Sequence, residues 1–204
     1  MKEFIHTMEL VFGFHFKGEI MQNELTYKDE IVRAMEFLAK DPKVLFLGQS
    51  VAFTGNSIYR TLETIDNSRK WETPVFEELQ MGMSLGMAME GNIIPVTCYP
   101  RWDFVLCAAN QLVNHIDKLE AMTQGIFNGG VIIRTAVGAS KPLESGVQHT
   151  QNHTKAFEQM LTNTEVHLLE HKSQIYPAYV KAYHRAVSEK RPSLLVEYGE
   201  YYSH

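Results

Sequence analysis

Cysteine is scarce in this 204-residue sequence: only Cys98 and Cys107 occur, nine positions apart. Two such residues make no disulfide scaffold, and their spacing matches neither a CxxC pair nor a zinc ribbon. They fit a reducing, cytoplasmic setting, in which both are expected to be buried small hydrophobes. Basic runs are absent as well. With 19 Lys+Arg against 24 Asp+Glu the net charge is −5, which excludes a nucleic-acid partner held by bulk charge. No apolar stretch reaches the ~20 residues that span a bilayer, so no membrane segment is expected. Glycine (13) and proline (7) are too few for a linker or fibre, and 45% hydrophobic residues are too many for disorder. What remains is a globular chain long enough to bury a core unaided.

The first residues are apolar but interrupted by Lys2, Glu3, Glu9 and Lys17. Phe4, Ile5, Met8, Val11 and Phe12 fall at helical spacing, without the unbroken apolar middle and small-residue cleavage site of a signal peptide. Residues 1–23 are therefore an expected N-terminal extension that packs on the domain or on a partner, and residues 24–204 a single domain.

From Leu25 onward, short β-rich runs alternate with longer helical patterns. Thr26 and Asp29 form a capping-box start, and Ile31, Ala34, Met35 and Leu38 an apolar helix face, stopped at Asp41-Pro42. Strands are predicted at Val44 to Leu47, Ile93 to Cys98, Val131 to Thr135, Val166 to Leu169 and Ser193 to Glu197. Helices are predicted at Ile58 to Ile65, Val75 to Met89, Phe104 to Met122, Thr154 to Leu161 and Tyr176 to Lys190. This alternation specifies an α/β domain, a mostly parallel sheet covered on both faces in a three-layer α/β/α arrangement.

The helix after Thr73-Pro74 contains two glycines, Gly82 and Gly86, four apart and so on one face. Each costs about 1 kcal/mol against alanine inside a helix. Some close approach is expected to justify them, either helix packing within the domain or the matching helix of a partner subunit. Glu77 and Glu78 open the same helix, where a carboxylate gains ~0.3–1 kcal/mol from the dipole without any further role. Histidines offer no metal site by spacing: His149 and His153 lack a third ligand, and His167 and His171 diverge across a strand end.

Thr73-Pro74-Val75-Phe76-Glu77, followed by Gly82, Gly86, Ala88 and Gly91, resembles the T-P-x-x-E, G-x-x-x-G-x-A segment of thiamine diphosphate enzymes. It is most similar to the pyrimidine-binding domain of the beta subunit of 2-oxo acid dehydrogenase first components. Phe104 with Asn110-Gln111, Asn114 and Lys118 resembles the family's F…D-Q-i-x-N-x-x-x-K helix. Ile132-Ile133-Arg134-Thr135 with Gly138 resembles its core strand, Gln148-His149-Thr150-Gln151 its Q-H-S-Q motif, and Leu194 to Tyr198 its v-v-x-L-E strand. Five motifs in order cover the chain from about Leu25 to Tyr202.

The resemblance implies that Glu77 hydrogen-bonds the aminopyrimidine of thiamine diphosphate and so promotes deprotonation of the thiazolium carbon. It implies that Phe104 packs on that ring, and that His149 faces substrate as proton donor or carboxylate binder. In an apolar site the Glu77 carboxyl is expected to hold its proton more tightly than usual. Gly82 and Gly86 are assigned to a subunit interface. No G-D-G segment for Mg²⁺ and diphosphate occurs in this sequence. The implied partner is therefore an alpha-like subunit that holds Mg²⁺ and the diphosphate, in a heterotetramer with a self-associated beta-like pair. The implied reaction is decarboxylation of a 2-oxo acid with transfer of the acyl or aldehyde unit. The C-terminal half of a split transketolase acting on ketose phosphates, or a non-catalytic assembly subunit, are the alternatives. Two departures stand out. Gln49-Ser50 replace a pair of acids linked with communication between sites, and Leu79 replaces a glycine two residues past the glutamate.

Overall fold

A computed structural model describes residues 25–140 and 144–203 of the chain. The predicted helix within residues 1–23 lies outside the described residues. Six strands, β1 (Val44–Gly48), β2 (Lys70–Glu72), β3 (Ile94–Cys98), β4 (Ile132–Val137), β5 (Glu165–Leu168) and β6 (Ser193–Tyr198), form one sheet. Their order is β2-β1-β3-β4-β6-β5, and every pairing is parallel. Strands buried on both faces read as continuous apolar runs, which is why β1, β3, β4 and β6 are legible in sequence.

Two helical layers sandwich this sheet, and the alternation of side chains along each strand divides the core between them. On one face, α1 (Tyr27–Ala39) and α7 (Lys172–His184) cover Phe46, Val96, Ile132 and Leu195. The start of α1 is the expected capping box: the Asp29 N–H donates to Thr26 Oγ1 at 3.1 Å and the Thr26 N–H to Asp29 Oδ2 at 2.9 Å. The short α2 (Ser57–Thr61) packs Ile58 into the same layer and ends earlier than predicted. On the other face, α3 (Glu77–Glu90) contributes Met81 and Ala88, and α6 (Thr154–Met160) contributes Phe157, over Ile133, Leu194 and Val196.

The long helix predicted over Phe104 to Met122 is instead a chain of changing pitches. It comprises α4 (Trp102–Val105), a 3₁₀ turn (Leu106–Ala108), a π turn (Gln111–Ile116) and α5 (Leu119–Met122). The π register is visible in the Asp117 N–H, which donates to Leu112 O five residues back at 3.0 Å. These shifts rotate the surface relative to an ideal helix, and Cys107 turns outward. Cys98 is buried as expected, whereas Cys107 is exposed, against the sequence expectation.

Directly after the π turn, the buried Asp117 carboxylate fastens the segment before β5. It accepts the N–H groups of Thr162 (3.0 Å), Asn163 (2.9 Å) and Thr164 (2.7 Å), and the Lys118 ammonium at 2.7 Å. Burial alone would raise the carboxyl's pKa; the Lys118 ammonium and the three N–H groups more than reverse this and hold it well below the usual range. Its contribution is therefore present above the unfolded carboxylate pKa and is lost as pH falls through the lower folded value. Asp117→Asn is expected to cost about 1.5–3 kcal/mol at neutral pH, the worth of hydrogen bonds to a charged group. Urea unfolding at pH 7 and pH 3 checks this, because the gap between wild type and variant should narrow at the lower pH.

Candidate active site

The sheet order reverses direction after β1, whose successor β2 lies on one side and β3 on the other. In open α/β sheets, the crevice beyond the carboxyl ends of the strands at such a point is where ligands bind. At this crevice Gly48 ends β1 with φ +148°, and a Cβ there would lie 2.2 Å from Cys98 O, so only glycine lets the ends of β1 and β3 converge. The Thr73 N–H donates to Gly48 O at 3.0 Å, and after Pro74 a tight turn closes with the Phe76 N–H on Pro74 O at 2.8 Å. Helix α3 consequently begins at Glu77, two residues later than predicted, with both glutamates in its first turn.

Gln80, one turn along, pins α3 to the sheet. Its side-chain nitrogen donates to Thr97 Oγ1 (2.9 Å) and Cys98 O (3.0 Å), while its oxygen accepts from Thr73 Oγ1 (3.2 Å). The fully buried Tyr99 adds a hydroxyl donated to the Glu77 carbonyl at 3.1 Å. The two glutamates then part. Glu77 Oε1 accepts from Gln49 Nε2 at 3.0 Å at the end of β1. Glu78 turns toward the π turn, accepting from Asn110 (3.2 Å) and Gln111 (3.4 Å). Of the two, Glu77 is the one hydrogen-bonded at the end of β1. It is half-buried, so the apolar enclosure expected around it is not completed by the described residues.

Gln49 and Ser50, which depart from the resembled motif, have definite local roles. Gln49 is buried and supplies a neutral donor to Glu77. Ser50 adopts φ +65°, rare for a side-chain-bearing residue, and the N–H groups of Ser50, Val51 and Ala52 converge on the Glu72 carboxylate at 2.6, 2.9 and 2.9 Å. Glu72 ends β2, a strand the sequence reading missed.

Phe104 and His149 come together across the ends of β3 and β4. Their rings meet edge to face, with centroids 5.6 Å apart and an interplanar angle of 83°. Gly138, just past β4, makes this approach possible, since a Cβ there would fall 1.7 Å from His149 O. Both side chains are half-buried on the same strand-end edge as Glu77. Beside Glu77, Phe104 and His149 in the chain, Val75, Phe76, Leu79, Leu106 and Val147 leave apolar surface exposed, Val75 at 79% and Val147 at 81%.

Gly82 and Gly86 lie on the outward side of α3. A Cβ at Gly86 would meet nothing within 4 Å, and one at Gly82 would meet only the Gln111 side chain, at 3.7 Å. Packing within the described domain therefore does not account for them. Lys118, part of a resembled motif, serves the fold by bonding Asp117 and Thr162. The sequence reading also missed Gln80, Gln49 as a donor, and the fully buried pair Arg134 and Glu197.

No family model matches the chain. Among curated proteins it is 32% identical over 119 residues to the pyruvate dehydrogenase E1 component subunit beta of Chaetosphaeridium globosum, covering 57% of this chain and 36% of that protein. It is 27% identical over 138 residues to the mitochondrial pyruvate dehydrogenase E1 component subunit beta of Ascaris suum, covering 65% and 37%. The chain thus spans about a third of the length of these relatives. Among solved structures it superposes with a TM-score of 0.62 on a split gene transketolase, described as an inactive beta4 tetramer. The two are 17% identical, with 84% of this chain and 51% of that one covered. For the transketolase of Campylobacter jejuni the TM-score is 0.64 at 16% identity, covering 96% and 29%. The described residues share the fold of these transketolases, and the chain is similar in sequence to part of the beta subunits of pyruvate dehydrogenase E1 components.

Proposed function

We propose that the chain is the beta-like, pyrimidine-binding subunit of a split thiamine diphosphate enzyme that decarboxylates a 2-oxo acid and passes on the acyl or aldehyde unit. The observation that carries this reading is Glu77. It stands in the first turn of a pinned helix at the switch point of the sheet, with one carboxylate oxygen on Gln49 and the other without a hydrogen-bond donor among the described residues. A carboxylate so held suits a ring nitrogen that shares a proton, and the half-buried Phe104 offers a flat apolar surface for an aromatic ring. These residues fit the pyrimidine end of thiamine diphosphate. When bound, the cofactor supplies the electron sink for breaking the bond beside the 2-oxo carbonyl. Glu77 holds and returns a proton at its second carboxylate oxygen, Phe104 orients the ring, and His149 binds the substrate carboxylate or acts as proton donor to the reacting part of the substrate.

An alpha-like partner that carries Mg²⁺ and the diphosphate site completes the centre in this proposal. Its support is the apolar surface that Val75, Phe76 and Leu79 leave exposed next to Glu77 in the chain, and the incomplete enclosure of that carboxylate by the described residues. A self-associated pair of these chains through Gly82 and Gly86 is supported by the open space those glycines face. The likeness to a split transketolase favours a second reading, transfer between ketose phosphates at the same site.

Co-expression with a chain bearing G-D-G tests the proposal. Thiamine diphosphate-dependent turnover of a 2-oxo acid is expected from the pair and from neither chain alone. Turnover of ketose phosphates only would favour the transketolase reading. Efficient turnover by the single chain, or none by the pair, would overturn the split architecture or the enzymatic role respectively.

A further inference from the structure

A carboxylate beside Phe104 has no part in the function proposed above. Asp103, in the first turn of α4, is buried, and its Oδ1 accepts from Gln151 Nε2 at 2.8 Å. The same oxygen lies 3.4 Å from His153 Nε2 without forming a hydrogen bond to it, and the buried Oδ2 has no hydrogen-bond partner among the described residues. Packing does not call for a charge here. Trp102 and Phe157 fill the adjacent core with ring centroids 4.7 Å apart, and an apolar side chain would avoid the desolvation of a carboxylate. What Asp103 does touch is the segment that follows His149.

That segment is tied to α4 a second time, by Trp102 Nε1 donating to Thr154 Oγ1 at 3.0 Å. The Trp102 and His153 rings also meet edge to face at 6.0 Å. Before His149 the 3₁₀ turn Val147–His149 closes with the His149 N–H on Gly146 O at 3.0 Å, and the His149 carbonyl rests on Gly138. His149 is thus suspended between a glycine seat on one side and Asp103 on the other, and its ring meets Phe104, the neighbour of Asp103 in the chain.

We infer that Asp103 is a positioning residue: through its hydrogen bond with Gln151 it fixes the 147–153 segment so that His149 faces the site against Phe104. The consequence for turnover rests on the proposed role of His149; the positioning itself does not. Side-chain length and an acceptor oxygen matter here because Oδ1 must reach Gln151 Nε2, which a shorter or apolar side chain cannot do.

The test uses the full chain and follows the His149 ring protons by NMR. In the wild type they are expected to be displaced by the Phe104 ring current. Asp103→Ala should return them toward the free-histidine position and speed amide exchange at residues 147–153 at least tenfold. Asp103→Asn, which keeps Oδ1 as acceptor for Gln151, should restore both. Gln151→Ala, which leaves the core side of the contact intact, should release the segment even where Asp103→Ala fails to fold. In the reconstituted two-chain enzyme, Asp103→Ala should lower kcat on the order of 10- to 100-fold with the cofactor requirement unchanged, as misplacement of a working group does. Unchanged His149 signals and exchange in both Asp103→Ala and Gln151→Ala would overturn the inference. Release of the segment in a pair that never turns over a 2-oxo acid would sink the functional reading and leave the positioning role standing.

Discussion

Glu197→Ala is expected to destabilise the domain by about 3–5 kcal/mol, the cost of leaving a buried charge without its partner. Arg134 on β4 and Glu197 on β6 have fully buried side chains and form a bidentate pair, Nε to Oε1 at 2.9 Å and Nη2 to Oε2 at 3.0 Å. Two hydroxyls complete the carboxylate's shell: Tyr179 from α7 donates to Oε1 and Tyr202 from the turn after β6 to Oε2. Burial, and then the Glu197 charge, push both phenols well above their ordinary pKa, so they remain donors at any pH the protein survives. Truncation to alanine strands the guanidinium, whose Nη1 already lacks a partner among the described residues, and leaves two hydroxyls without their carboxylate acceptor. For a domain of this size the loss corresponds to a fall in Tm of roughly 6–20 °C, read by circular dichroism. A fall under about 2 °C would show that the pair is not the keystone of the α1/α7 layer. Glu197→Leu combined with Arg134→Met should recover much of the loss, because it removes both charges from the interior.

The strands that hold this pair are legible in sequence, but the pairing is not. Ile132-Ile133-Arg134 and Leu194 to Glu197 each read as a buried strand, and period-two alternation sends Arg134 and Glu197 to the same face only if β4 and β6 are neighbours. That adjacency is a crossover: β5 lies between them in the chain and outside them in the sheet. The same distance in sequence hides Asp117 with residues 162–164, Gln80 with Thr97 and Cys98, and Asp103 with Gln151. Polar residues that serve distant partners leave no periodic trace. Strand β2 escaped because three residues, Lys70-Trp71-Glu72, offer no alternation to detect, and its Trp71 stays exposed at the sheet edge. Helix α3 was placed almost correctly because Thr73-Pro74 and Gly91 punctuate it, Gly91 adopting the left-handed cap at φ +88°. The site residues were reached by another route. Glu77, Phe104 and His149 came from motif order, and the geometry then put Phe104 and His149 in contact and set Glu77 apart from Glu78.

Glu77→Gln separates catalysis from assembly. In the reconstituted pair it is expected to lower kcat by about 10²–10⁴, the usual worth of a positioned proton-transfer group. The substitution is nearly isosteric, and the new side-chain carbonyl can still accept from Gln49 Nε2, so the local geometry persists. What is lost is the ability to take up and return a proton at the second oxygen. Stability should change little: Glu77 is half-buried, and the helix-dipole contribution it gives up is only ~0.3–1 kcal/mol. Glu78→Gln serves as the matched control, since that carboxylate is already engaged by Asn110 and Gln111. Steady-state kinetics beside thermal unfolding of both variants decide the matter. A large loss of kcat confined to Glu77→Gln, with both proteins folded and assembled, makes this carboxylate part of the chemistry. Full activity in Glu77→Gln would reduce it to a helix-start residue and leave the chain as a scaffold for catalysis carried elsewhere in the assembly.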